Sequence, residues 1–384
     1  MTDLAIVGLG SMGSATAWAA TREGLSVVGF EQFELGHERG ASHDTSRILR
    51  HSYHTPHYVG LTFHAYDAWA RLEADSGIAL VTQTGGVDLF PPDAAIDMAT
   101  YTESMDAHGI SYEILDVAQL RARWPQFTPP AGTVSVYQER SSIVPAALGT
   151  ATMQRLATDR GAQLHANTRV EAILPGADSV TIVTSRGTYE ADRVIVTADA
   201  WTAELIRPLG WDIPLTITEE QVTYVALDDP QSYADLPLWI WMDDPSFYGF
   251  PPYAVPGEVL EPTMKAAEDC GGPTVTGDVR SGVLDETMLA RLHGFLRDTF
   301  TGIGEPVRSK RCLYTLTRDR DFVLSPVPGH ERVIVGLGAA HGFKFAPAFG
   351  EMLTSLVLGG TRDPVFALDR PGITDPDYAP AWLV

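Results

Sequence analysis

Apolar and polar positions along the chain follow two periods, and their order predicts an α/β protein. Residues 3–34 read strand, turn, helix, strand. Leu4 to Val7 are apolar, Gly8-Leu9-Gly10-Ser11-Met12-Gly13 follows, and Ala15 to Arg22 is an Ala-rich helical stretch that stops near Gly24. Ser26 to Phe30 is the second strand. Helical spacing of apolar residues recurs over 59–76, 145–160 and 286–299, with shorter helices over 115–123 and from Phe349 to Leu358. Strand patterns mark 85–91, 163–173, 180–184, 221–226 and 238–242, with a hairpin turn at Ser185-Arg186-Gly187. Arg193 to Thr197 and Arg332 to Gly336 read as buried strands. Residues 215–270 are rich in Pro and aromatics, and the Pro- and Asp-rich tail after Arg362 is expected to run over the surface. The α/β pattern stands at the start, middle and end, with strand-rich segments between. Two interleaved domains follow, not two consecutive ones.

The Gly8-x-Gly10-x-x-Gly13 run lies between a predicted strand and a predicted helix. There the first glycine permits a tight turn, the second lets backbone approach a pyrophosphate, and the third lets helix pack on strand. The helix start then offers unpaired N–H groups to phosphates. Glu31 stands 18 residues after Gly13, at the end of the second strand. A carboxylate there accepts hydrogen bonds from both ribose hydroxyls and repels a 2′-phosphate, so NAD or FAD fits and NADP does not. The motif does not separate NAD from FAD, and an ordinary Gly-rich turn is the competing reading.

Composition narrows the partners. The chain has 384 residues, with 27 Lys plus Arg against 49 Asp plus Glu, a formal charge of −22. That balance opposes binding to nucleic acid or to anionic membranes. Two cysteines, Cys270 and Cys312, exclude a disulfide framework and a four-thiolate zinc site. The sequence opens directly into a strand and has no apolar run long enough for a membrane span, so a cytoplasmic protein is expected. His51, His54 and His57 are spaced three apart, but Pro56 interrupts the helix that metal ligation would need, so no metal is expected.

Five further segments carry a resemblance. They are Ser42-His43-Asp44-Thr45-Ser46-Arg47-Ile48-Leu49-Arg50-His51, Tyr248-Gly249-Phe250-Pro251, Met264-Lys265-Ala266-Ala267, Arg311-Cys312-Leu313-Tyr314-Thr315 and His341-Gly342-Phe343-Lys344-Phe345. With the opening fingerprint, they make the chain resemble, nearly end to end, the flavin-dependent amine oxidases of the monomeric sarcosine oxidase and N-methyltryptophan oxidase family. The resemblance implies a Rossmann-like FAD-binding domain (1–81, 140–215 and 312–384) interleaved with a mixed-sheet substrate domain (82–139 and 216–311). It implies oxidation of the C–N bond of an N-methyl or cyclic secondary amino acid to an imine, with oxygen reduced to hydrogen peroxide, by a monomer.

It also assigns residues. FAD would lie on Gly8, Gly10, Ser11, Met12, Gly13, Glu31, Ser42, His43, Thr45, Ser46, Arg47, Val170, Gly342, Phe343 and Lys344. Cys312 would carry it covalently; the flanking Lys310 and Arg311 favour a thiolate. Arg50 and Lys344 would clamp the substrate carboxylate. Arg47 would stabilise negative charge on the flavin, and Lys265 would serve oxygen activation as a fixed positive charge. Tyr248, Tyr314 and Trp241 would line the substrate pocket. The family's usual His four residues after the lysine is replaced by Asp269, which argues against sarcosine itself and suits a cationic or hydroxylated side chain. A flavin dehydrogenase with another electron acceptor and a non-catalytic flavin-binding protein remain as alternatives.

Overall fold

A computed structural model describes residues 2–381. Its first sheet has eight strands. Five run parallel, in the spatial order 163–165, 27–30, 2–7, 187–196 and 330–337. We label Thr2–Val7 as β1, Ser11–Arg22 as α1 and Val27–Phe30 as β2. Val27 to Phe30 and Val333 to Val335 are buried, because helices and neighbouring strands cover the parallel sheet on both faces. The Ala-rich α1 lets the helix Ala346–Val357 approach closely. A Cβ on Gly350 would stand 2.3 Å from the Ala15 carbonyl oxygen, so only glycine fits that crossing.

The second sheet has nine strands and is mostly antiparallel. Thr216–Leu227 pairs along its length with Ile303–Leu316, and on its other edge with Thr263–Glu268. The order then continues through 247–250, 238–241, 86–90, 134–138 and 113–115. One face is covered by the helix Glu286–Thr299, whose first turn is capped by the Asp285 carboxylate. Trp239, Trp241, Met264, Leu292 and Leu296 form the core on that side. The opposite face carries Val222, Ile240, Tyr248, Phe250, Cys312 and Tyr314 and looks into the main cavity. A three-stranded sheet of 47–49, 142–144 and 82–83 lies beside it.

Several expectations need correction. The single strand expected over 163–173 is two, Gln163–His165 and Val170–Pro175, because Asn167 turns the chain at φ 52°. Two strands were expected within 215–270, and the main ones number four, adding Phe247–Phe250 and Thr263–Glu268. Past Thr263 the last of these has no β-branched residue, and pairing on both edges overrides that weak propensity. The tail does not simply run over the surface. Phe366, Leu368 and Ile373 are buried, and buried Arg370 meets Asp319 at 2.6 Å while donating to the Phe322 carbonyl. Among the described residues, no helix is long and apolar enough to cross a membrane.

Candidate active site

The glycine turn connects β1 to α1 as its spacing predicts. Gly8 adopts φ 89°, and a Cβ on Gly13 would lie 1.9 Å from the Gly8 carbonyl oxygen. Gly13→Ala is therefore expected to break the turn. Flavin content of the purified variant should fall to a small fraction of the parent's, and full retention would refute the close approach. Glu31 directly follows β2 and its carboxylate meets this turn, accepting from Leu9 N–H at 3.0 Å and Phe33 N–H at 3.1 Å. His37 Nε2 lies 3.4 Å from it.

One cavity runs from this turn to the antiparallel sheet. Gly8, Gly10, Ser11, Met12, Glu31, Ser42, His43, Arg47, Val170, Gly342, Phe343 and Lys344 all line it. Ser42 Oγ accepts from Ser11 N–H at 2.8 Å, tying the 41–47 segment to the start of α1. Arg47 donates to the carbonyls of Ala41, Ser46 and His43 at 2.7–3.0 Å. His43 is buried, its ring nitrogens find no partner among the described residues, and burial pushes its pKa down to about 4. An orphaned polar ring lining one cavity with the glycine turn and the Glu31 carboxylate suits a bound dinucleotide. Asp199, absent from the sequence-based set, also lines the cavity at φ 46°, and burial raises its carboxyl to about 6.

Lys265, Thr45 and Ser46 do not line this cavity. They border a small separate pocket beside it. Lys265 sits in a fully paired strand, buried, 2.6 Å from Asp44 Oδ2 and 3.0 Å from the Ser46 carbonyl. Burial brings its pKa down to about 8, against the opposing pull of Asp44.

Cys312 lines the main cavity, but the thiolate argument from its neighbours does not hold. Side chains alternate along a strand, so Arg311 faces the other side and donates to Gln221 Oε1 and the Glu219 carbonyl. Lys310 is engaged by Glu38 at 2.6 Å. Burial pushes the Cys312 thiol up to about 11, with Arg47 rather than its neighbours drawing it back. Glu220, paired across from Cys312, is raised to about 7 by its own burial.

The sheet end of the cavity gathers cations. Buried Arg50 meets Asp88 at 2.7 Å through Nη1, and its Nε has no hydrogen-bond partner among the described residues. That leaves one edge of the guanidinium fork for a ligand. Lys344 Nζ donates to Tyr53 Oη at 2.8 Å and to the His341 carbonyl at 3.2 Å. Arg320, which the sequence reading missed, also lines the cavity and contacts Cys270 Sγ at 2.9 Å and Asp269 at 3.8 Å. Asp269, Tyr248 and Tyr314 line the same end, with the two phenol oxygens 3.3 Å apart.

Trp241 is not in the pocket. It packs edge-on against Phe295, 5.4 Å between centroids, under the helix Glu286–Thr299. Ile240 faces the cavity instead, because adjacent strand residues point to opposite faces. Asp88 was also missed, although a charged residue inside the apolar run Gly86–Phe90 signals a buried partner.

The chain matches the model of the FAD dependent oxidoreductase family over residues 3–356. It is 29% identical to a monomeric sarcosine oxidase of Bacillus sp. (strain B-0618) over 97% of both chains. It is 30% identical to an N-methyl-L-tryptophan oxidase of Yersinia pestis, over 97% of this chain and 96% of that one. A solved structure of NikD, an unusual amino acid oxidase essential for nikkomycin biosynthesis, superposes with a TM-score of 0.86 at 26% identity, covering 95% of this chain and 97% of NikD. Carried by a match over most of its length and by a cradle suited to a dinucleotide, the chain belongs to the FAD-dependent oxidoreductase family.

Proposed function

We propose that this protein oxidises the C–N bond of an N-methyl or cyclic secondary amino acid to an imine, with oxygen as acceptor and hydrogen peroxide as product. The observation that carries this reading is the pairing of the open Arg50 fork with Lys344 at one end of the cavity. Two such donors suit a carboxylate and, in a chain of charge −22, give an anion a local reason to enter. When bound, FAD supplies the two-electron acceptor for the C–H bond next to nitrogen. Arg50 and Lys344 hold the carboxylate, while Tyr248 and Tyr314 pack beside the amine and exclude water. Arg47 supplies positive charge at the flavin, and Asp269 receives a cationic or hydroxylated substrate side chain.

Residues 1–81, 140–215 and 312–384 are assigned to FAD, and 82–139 and 216–311 to the substrate. Attachment of FAD through Cys312, a monomeric state and a cytoplasmic location belong to the same proposal. The likeness to sarcosine and N-methyl-L-tryptophan oxidases supports the substrate class. A second reading, a dehydrogenase with another acceptor, draws on the ion pair that neutralises Lys265.

A peroxide-release screen over sarcosine, N-methyl amino acids, pipecolate and proline tests the proposal. Turnover with peroxide is expected for at least one; activity on primary amino acids alone would overturn the substrate class. In Lys265→Met, reoxidation of the reduced flavin by oxygen should slow by roughly a hundredfold or more, the size of losing one preorganised charge. Unchanged reoxidation would remove Lys265 from the oxygen step.

A further inference from the structure

The chain has three lysines, and two of them are ion-paired, Lys265 with Asp44 and Lys310 with Glu38. Lys344 has no carboxylate partner among the described residues, although it is half-buried and lines the cavity. Its surroundings fix how its protons can point. His341 Nε2 lies 2.9 Å from the Arg320 carbonyl, which only accepts, so Nε2 carries the hydrogen. His341 Nδ1 is therefore the acceptor for the Tyr53 hydroxyl, 3.2 Å away. The Tyr53 oxygen in turn accepts from Lys344 Nζ at 2.8 Å, and the His341 carbonyl accepts a second N–H at 3.2 Å.

A neutral amine has two N–H bonds, and these two acceptors use both. The remaining tetrahedral position, left for the cavity, then holds the lone pair. In the ammonium form the same position holds a third N–H. The charges that face Lys344 bear on which form the empty site takes. Arg50 and Arg320 oppose a further cation and Asp269 favours one, while burial keeps the Tyr53 hydroxyl and the His341 ring neutral. Arg50 is offset by Asp88, and burial holds the nearby His54 and His341 toward their neutral forms, so Lys344 is a group that can gain a charge when a carboxylate enters.

We propose that Lys344 enters as the neutral amine and takes the ammonium proton of the incoming amino acid. One N–H bond of the substrate ammonium breaks and one Nζ–H bond forms, with no electrons lost. The substrate nitrogen recovers the lone pair that C=N formation requires. Lys344 becomes the cation beside the substrate carboxylate, so a zwitterion is admitted with no change in the net charge of the site. Tyr53 and His341 act as positioning residues that aim the lone pair. This rests on the amino-acid reading given above.

The test uses two isosteric carboxylates on the flavin-loaded enzyme, neither with an oxidisable C–H next to nitrogen. One is α-aminoisobutyrate, which brings an ammonium proton, and the other is pivalate, which has a methyl in its place. Binding is followed by the flavin absorbance change. Proton exchange is measured by calorimetry in buffers of low and high ionisation enthalpy at about pH 8, above the value of about 7 to which burial and Arg50 lower Lys344. Pivalate should take up about one proton from solvent, and α-aminoisobutyrate about none. Lys344→Gln should abolish the uptake with pivalate. Equal proton counts for the two ligands, or uptake that persists in Lys344→Gln, would overturn the proposal. If neither ligand perturbs the flavin, the carboxylate site itself is misassigned and the amino-acid reading falls with it.

Discussion

Arg50→Ala is expected to lose both stability and turnover, and a second substitution should restore only the first. Arg50 and Asp88 are buried together at 2.7 Å, and Asp88 Oδ2 also accepts the Ser52 hydroxyl. Removing the guanidinium leaves a buried carboxylate with a single hydroxyl donor. Breaking a buried pair in this way costs about 3–5 kcal/mol, read as a lower urea midpoint or melting temperature. The double variant Arg50→Met, Asp88→Leu removes both charges and fills the space with apolar groups, so it should recover most of that stability. It should not recover activity. Charge-assisted hydrogen bonds contribute about 1.5–3 kcal/mol each, so loss of a two-bond contact lowers kcat/KM by roughly a hundredfold or more in both variants. A stable Arg50→Ala would refute the structural role of the pair. A double variant with parental kcat/KM would remove Arg50 from the substrate site.

Cys312→Ala is expected to change the colour of the acid-precipitated protein from yellow to white. In the parent, the proposed bond to Cys312 holds the flavin in the pellet; in the variant, the flavin moves to the supernatant. A colourless parent pellet would dispose of the covalent assignment at once. Burial raises the thiol to about 11, so attachment has to draw on the minor thiolate form. The thiolate fraction grows with pH up to that value, so flavin incorporation into the cofactor-free protein should accelerate about tenfold per pH unit across the neutral range. Arg47 is the largest influence pulling the thiol pKa down, and Arg47→Met should slow incorporation at any fixed pH. Equal rates in Arg47→Met and the parent would mean that another group activates the sulfur.

How legible the site was depended on the kind of contact involved. The turn from Gly8 to Gly13 and Glu31 were legible because their requirements are local: a positive φ, a close backbone approach and an acid one strand later. Arg50 and Lys344 were reached through motif resemblance, and both line the cavity. Asp88, Tyr53 and Arg320 were missed because each acquires its place only across the fold. Asp88 is 38 residues from Arg50, and Tyr53 is 291 residues from Lys344. Trp241 was misplaced by one position, and in a strand one position is the difference between the cavity and the core. No strand was expected around Lys265 because its flanking sequence carries little strand propensity, yet it lies in the middle of a sheet.

By itself, the sequence determined the nucleotide turn, the order of α/β and strand-rich segments, and the family. Those features reside in backbone geometry, residue periodicity and motif order, which survive without knowledge of neighbours. Only the tertiary structure decided the charge states. It turned Arg311 away from Cys312, engaged Lys310 with Glu38, matched Lys265 with Asp44 and Arg50 with Asp88, and left Lys344 half-buried without a carboxylate among the described residues. The reason is that the protonation of a buried group depends on desolvation and on charges within a few ångströms. Neither is a property of position along a chain.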